Sequence, residues 1–189
     1  MSLIPAPGTP PPPTAAEFAL EEVSATADPA ARPASSQTAP IRVVVADDHP
    51  IWRDAVARDL VDAGFAVVGT AADGPSAVKR TLSSAPDVLV LDLNLPGLQG
   101  SEVCAELARA GCPVRILVLS VSGEPEDVLS AMKSGATGYL IKSARREELI
   151  EAVRRSADGR AVFTPGLAGL VLGEFNRLVT QPTPDGAPA

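Results

Sequence analysis

The chain has 189 residues, a formal net charge of −7 and 19 prolines, 9 of them within residues 1–40 and 3 within residues 179–189. Proline blocks helix interiors and central strands, so the ends, which carry PAPGTPPPPT and QPTPDGAPA, are expected to be disordered over 1–40 and 179–189; one folded unit of about 120–140 residues remains, large enough to need no disulfide or structural zinc. The charge excludes a chain that coats nucleic acid by itself, because its arginines and lysines are scattered among a larger number of acids and make no basic face.

Five short apolar runs follow one another through the middle, at residues 41–46, 66–71, 87–91, 115–119 and 137–141. They are nearly continuous rather than alternating, the pattern of parallel strands buried on both faces. Helical spacing fills the intervals at about residues 50–63, 74–85, 100–110, 125–134 and 145–158. Such alternation predicts an α/β fold, a doubly wound, flavodoxin-like (βα)5 parallel sheet of strand order 2-1-3-4-5. Gly64, Gly111 and Gly135 follow helical stretches, where left-handed caps are wanted, and Pro125 opens one. A last helix is expected over residues 164–178, with Thr164 as its cap, Pro165 in its first turn and Leu167, Leu170, Val171, Phe175 and Leu178 as its apolar stripe. That stripe serves equally for packing on its own domain or for a partner contact.

Cys104 and Cys112 lie eight residues apart around a helix end, a poor spacing for a bridge, and are expected to be packing or surface residues in a reducing compartment. The first residues, MSLIPAPGTP, lack the basic segment and apolar stretch of a secretory signal. The longest uncharged stretch of the folded part, residues 161–173, is too short and too rich in glycine and proline to span a bilayer. A cytoplasmic protein with no membrane partner is expected.

Charge and hydroxyl groups stand directly after four of the five apolar runs. Asp47 and Asp48 follow the first run, Asp92 the third, Ser120 the fourth and Lys142 the fifth. In open α/β sheets ligands bind outside the carboxyl ends of the strands, and in the order 2-1-3-4-5 these four runs are neighbours, so all of these residues reach one crevice. Three carboxylates gathered there repel one another unless a cation neutralises them. Oxygen donors without a histidine cluster favour a hard ion, Mg2+. His49, which precedes Pro50 at a helix start, is assigned a surface or capping role rather than a ligand role.

A metal-bound carboxylate beside a lysine and a hydroxyl can attack phosphorus. Asp92 is the best nucleophile candidate because it ends the central run. Lys142 and Ser120 would meet phosphoryl oxygens, and a backbone carbonyl near Asn94 can complete the metal shell. Singly, each of these residues reads as a helix cap or turn residue; together, at all four strand ends, they argue for a site.

On these residues the sequence resembles, over 41–158, the receiver domain of two-component response regulators. Asp47-Asp48, then Asp92 forty-four residues on, then Ser120, then Lys142 twenty-two residues later, match that family's active-site order. The phrases DDHPIWRDAV, DLNLPGLQG, LSVSG and GATGYLIKS resemble the NarL/LuxR-type subfamily in particular. The resemblance implies that Asp92 is phosphorylated by a sensor histidine kinase or a small phosphodonor. Mg2+ would be bound by Asp48, Asp92 and the Asn94 carbonyl, with Asp47 acting through water. Ser120 and Lys142 would contact the phosphoryl group, Ser120 and Tyr139 would form the switch, and Asn94 and Ser122 would tune dephosphorylation. Ser120 stands where threonine is commoner and Ser143 where many receivers have proline.

The same resemblance implies a kinase docking near the first helix and pocket rim. It also implies an output or homodimer surface over about 125–158, dimerisation on phosphorylation, and a linker helix over 159–178 leading to a helix-turn-helix DNA-binding domain beyond residue 189. The expected function is that of a phosphoacceptor receiver from a longer transcription regulator, not a turnover enzyme. Two alternatives are a stand-alone or phosphorylation-independent binding module and a haloacid-dehalogenase-like phosphohydrolase. The second is disfavoured by Asn94, which cannot do the proton transfer of the aspartate those enzymes place two residues after their nucleophile.

Overall fold

A computed structural model describes residues 39–167 together with 169 and 173. The ends expected to be disordered therefore lie outside the described residues, apart from Ala39 and Pro40. The chain runs β1 (Arg42–Ala46), α1 (Pro50–Asp62), β2 (Ala66–Ala71), α2 (Gly74–Ser84), β3 (Val88–Leu91), α3 (Gly100–Arg109), β4 (Arg115–Ser120), α4 (Pro125–Lys133), β5 (Gly138–Ile141), α5 (Arg146–Ala157) and β6 (Val162–Phe163). All strand pairings are parallel, in the order β2-β1-β3-β4-β5-β6.

The continuous apolar runs are explained by helices on both faces. Successive strand residues point to opposite sides, and each side has its own core. Val44, Leu89, Leu91, Val118 and Tyr139 pack with Ala77, Val103, Leu107 and Val128 from α2, α3 and α4. Val43, Val45, Val90, Leu117 and Leu140 pack with Val56 and Leu60 of α1 and Leu149 and Val153 of α5. All four residues of β3 are buried, whereas edge strand β2 is mostly half-buried.

Local chemistry sets the helix ends. Pro50, Pro75 and Pro125 stand in the first turns of α1, α2 and α4, where their missing N–H is no loss. Gly64, Gly111 and Gly135 take positive φ after α1, α3 and α4, as predicted. The C-terminus of α2 differs, because Ala85 takes the left-handed conformation there with φ 43°.

Two expectations change beyond α5. The chain does not pass straight into a linker helix: Val162 and Phe163 first add a sixth strand, pairing with Gly138 and Tyr139 of β5. A side chain at Gly138 would put its Cβ 2.9 Å from the Val162 carbonyl oxygen, so glycine permits this approach. Thr164 does not spend its hydroxyl on a helix cap. Its N–H donates to the Tyr139 carbonyl and its Oγ1 accepts from the Ile141 N–H, both at 3.0 Å, so the side chain extends the ladder by one bond. Leu167, Gly169 and Gly173 are helical, and Leu167 is buried in the core that holds Tyr139. The remainder of the predicted stripe, Leu170, Val171, Phe175 and Leu178, lies outside the described residues.

Candidate functional site

The sheet ladder itself aims the polar residues. The backbone N–H of Asp47 donates to Ala71, that of Asp92 to Ala46 and that of Lys142 to Ser120, at 3.1, 2.9 and 2.7 Å. Each residue is thus fixed as a one-step continuation of its strand. Ser120 is the last residue of β4 rather than the first after it. Asp47, Asp92, Ser120 and Lys142 are 4, 4, 1 and 7% exposed, burial that loop-start polar residues lack when they serve only as caps. Behind Asp92, the N-terminus of α3 presses close, with Gly100 N–H donating to the Leu93 carbonyl at 2.8 Å. A Cβ on Gly100 would meet the Asp92 carbonyl oxygen and Leu93 Cα at 2.7 Å.

Lys142 ties the pocket together, its Nζ lying 2.6 Å from Asp47 Oδ2 and 2.8 Å from Asp92 Oδ2. The other Asp92 oxygen, Oδ1, accepts from the Asn94 N–H at 3.2 Å. Burial pushes Lys142 down, but its hydrogen bonds to Asp47 and Asp92 and their charges outweigh that and hold it above its ordinary value. Asp48 sits at the mouth, where its Oδ1 lies 2.7 Å from His49 Nδ1. The His49 N–H donates to Asp47 Oδ1 at 2.9 Å.

Ligand atoms of Asp47, Asp48, His49 and Asp92 all lie within 4.8 Å of one another. Three carboxylates opposed by one ammonium form an oxygen-rich, net negative set that fits a hard divalent cation. His49 is exposed as expected, but its side chain makes no cap hydrogen bond; its ring leans on Asp48 at the edge of the cluster.

The β4–α4 turn joins the same centre. Ser120 Oγ accepts from the Ser122 N–H at 3.2 Å, and the Tyr139 hydroxyl donates to the Ser122 carbonyl at 2.9 Å. Tyr139 is fully buried with its ring turned inward. Burial raises its hydroxyl pKa, partly offset by a hydrogen bond with Ser120. The Ser122 hydroxyl donates to Asp127 Oδ2 of α4 at 2.5 Å, so the structure ties it to a helix.

Asp127 of α4 and Trp52 of α1 also reach the site, although neither stands at the end of an apolar run. The Trp52 ring centroid lies 5.7 Å from Lys142 Nζ. Its one legible signal is position, since it falls in the first turn of α1, four residues after Asp48.

A parallel doubly wound sheet with buried aspartates and a lysine at its carboxyl edge is the arrangement of a receiver domain. The family model described as "Response regulator receiver domain" matches residues 43–154, and the chain belongs to that family. More narrowly, it is a receiver domain of the NarL/LuxR type. A "Probable transcriptional regulatory protein NarL" of Mycobacterium tuberculosis is 39% identical over 145 residues, 76% of this chain and 67% of that protein. The solved signal receiver domain of NarL from the same organism is 40% identical, covers 64% of this chain and 98% of its own, and superposes with a TM-score of 0.62. A LuxR-family two-component response regulator from Aurantimonas is 33% identical with a TM-score of 0.66, covering 73% of this chain and 99% of its own. Receiver domains bind Mg2+ at an acidic pocket and answer to a sensor kinase. Among the described residues, no helix is long and apolar enough to cross a membrane.

Proposed function

We propose that Asp92 is the phosphoacceptor of a two-component signalling switch. The observation that carries this reading is the Asp92 carboxylate itself, buried at the end of β3 with Oδ2 held by Lys142 and Oδ1 by the Asn94 amide. A carboxylate so oriented is a nucleophile for in-line attack on a phosphohistidine or a small acyl phosphate. A P–O bond forms to Asp92, the P–N or P–O bond to the donor breaks, and the electron pair leaves with the imidazole or carboxylate. Lys142 and Ser120 contact the phosphoryl oxygens and offset their charge. Asp48, Asp92 and the Asn94 carbonyl would hold Mg2+, and Asp47 would act on it through water; the ion would supply positive charge against the transferred group. Attack by water later returns free Asp92 and inorganic phosphate, at a rate tuned by Asn94 and Ser122, so the protein is a switch and not a turnover enzyme.

The added charge of a phosphoryl group, about −1.5 to −2, acts through Ser120 and Tyr139 on the surface over 125–158, where homodimerisation and output follow. Residues 41–158 form the receiver, Val162 and Phe163 add its sixth strand, and a linker follows. DNA is reached through a helix-turn-helix domain of a longer transcription regulator; the name of the Mycobacterium tuberculosis relative supports the transcriptional role alone. The sensor histidine kinase docks at α1 and the pocket rim, and the setting is the cytoplasm. The test is intact-mass measurement after incubation with acetyl phosphate and Mg2+. The wild type is expected to gain the mass of one phosphoryl group, and Asp92→Asn or a chelator to prevent it. A wild type that gains nothing refutes the assignment.

A further inference from the structure

Among the described residues, three groups flank the Lys142 ammonium, and they differ in kind. Two are the carboxylates of Asp47 and Asp92, at 2.6 and 2.8 Å. The third is the face of Trp52, whose centroid is 5.7 Å from Nζ, within the roughly 6 Å over which a ring quadrupole attracts a cation. The carboxylates are the groups that a hard cation engages; an indole is no ligand for such an ion. Of the three contacts, only the ring's hold on the ammonium is therefore undiminished once the carboxylate charge is taken up elsewhere.

The start of α1 holds the ring in place. Pro50 fixes the first turn, the His49 N–H donates to Asp47 Oδ1 at 2.9 Å, and Arg53 Nη1 donates to the Asp47 carbonyl at 2.9 Å. Burial agrees: Ile51 next door is 85% exposed, Trp52 42%, and the Lys142 side chain beneath it 5%.

We infer that Trp52 is a positioning residue for phosphoryl transfer, an aromatic wall that keeps the Lys142 ammonium over the pocket when Asp47 and Asp92 are engaged by Mg2+. The inference rests on the phosphoacceptor reading of Asp92 and adds to it a residue that touches neither metal nor phosphate. Leucine at this position keeps an apolar side chain and removes the π face; phenylalanine keeps both.

The test uses the full chain and the variants Trp52→Leu, Trp52→Phe, Lys142→Met and the Leu/Met double variant. In metal-free protein, NMR should show the Lys142 ε-methylene protons shifted upfield by the ring in the wild type and in Trp52→Phe, and returned to their ordinary position in Trp52→Leu. At saturating Mg2+, the initial rate of Asp92 phosphorylation from acetyl phosphate should fall about two- to five-fold in Trp52→Leu, the change that matches a partly exposed cation–π contact. Trp52→Phe should restore most of that rate, and Mg2+ affinity by calorimetry should be unchanged in both. In the Lys142→Met background, Trp52→Leu should cost nothing further. Lysine resonances that do not move, an unchanged rate, or an equal loss in the Lys142→Met background each overturn the inference. A wild type that takes up no phosphoryl group overturns the phosphoacceptor reading and this one with it, whereas normal uptake by both wild type and Trp52→Leu overturns this one alone.

Discussion

Replacing Lys142 by methionine tests the charge balance of the pocket, because methionine keeps a long unbranched apolar stem, with sulfur for one methylene, and removes the ammonium. In the metal-free protein the variant leaves Asp47 and Asp92, each 4% exposed, facing one another without a cation. Removing one partner of a buried pair costs about 3–5 kcal/mol. The lower end is expected here, since each carboxylate keeps one backbone donor, the His49 N–H on Asp47 and the Asn94 N–H on Asp92. Urea unfolding at neutral pH without divalent cations should therefore show a loss of about 3 kcal/mol.

Mg2+ should then restore much of that loss, because the variant lacks the ammonium that competes for the same oxygens. A tenfold gain in Mg2+ affinity recovers about 1.4 kcal/mol, on top of the roughly 2.7 kcal/mol that any form gains at a hundred times its Kd. The pH dependence follows from the raised Lys142 pKa, the bonds to Asp47 and Asp92 having outweighed burial. A folded-state value above the unfolded one means that the contribution is complete below the ordinary 10.5 and fades as pH rises through the folded value. Wild type should lose stability more steeply than the variant over that alkaline window, because the losses from buried Tyr139 and Cys104, whose pKa values burial also raises, are common to both. A loss equal in size with and without saturating Mg2+, or an unchanged Mg2+ affinity, refutes the reasoning.

Gly100→Ala should cost about 1–3 kcal/mol by overpacking, because its Cβ would press on the Asp92 carbonyl and Leu93 Cα; calorimetry should also show weaker Mg2+ binding as Asp92 is displaced. Thr164→Val takes the acceptor from the Ile141 N–H and should cost about 1–3 kcal/mol, with faster hydrogen exchange at Ile141 detected by NMR. Cys104 is fully buried, with burial pushing its thiol up to about 12, so a thiol reagent should label half-buried Cys112 in the native protein and reach Cys104 only when urea unfolds it.

The legible part of this molecule is the part in which one residue type repeats for one reason. The strands were readable because burial on both faces demands an unbroken apolar run, as in the VLVL of β3. The pocket was readable because Asp47, Asp92, Ser120 and Lys142 each stand where such a run stops, and the parallel order makes those four ends neighbours. Position along a strand therefore carried both the fold and the place of the site.

What stayed hidden depends on contacts that leave no local period. Val162 and Phe163 are too few to show an alternation, and their pairing with β5 is completed by the hydroxyl of Thr164 standing in for a backbone acceptor. A threonine before Pro165 has the composition of a helix cap, and only the free edge of β5 turns it to another use. Ala85 takes a left-handed cap without glycine, and Ser122 meets Asp127 across a turn. Trp52 and Lys142 lie ninety residues apart in a sequence whose only tryptophan gives no pattern to compare. In each case the deciding partner comes from another element or from an unmarked turn, so the chemistry of the single residue was visible while its use was not. The Lys142 ammonium shows the consequence most directly, since its carboxylate partners follow from strand order alone and its aromatic partner follows only from how α1 leaves β1.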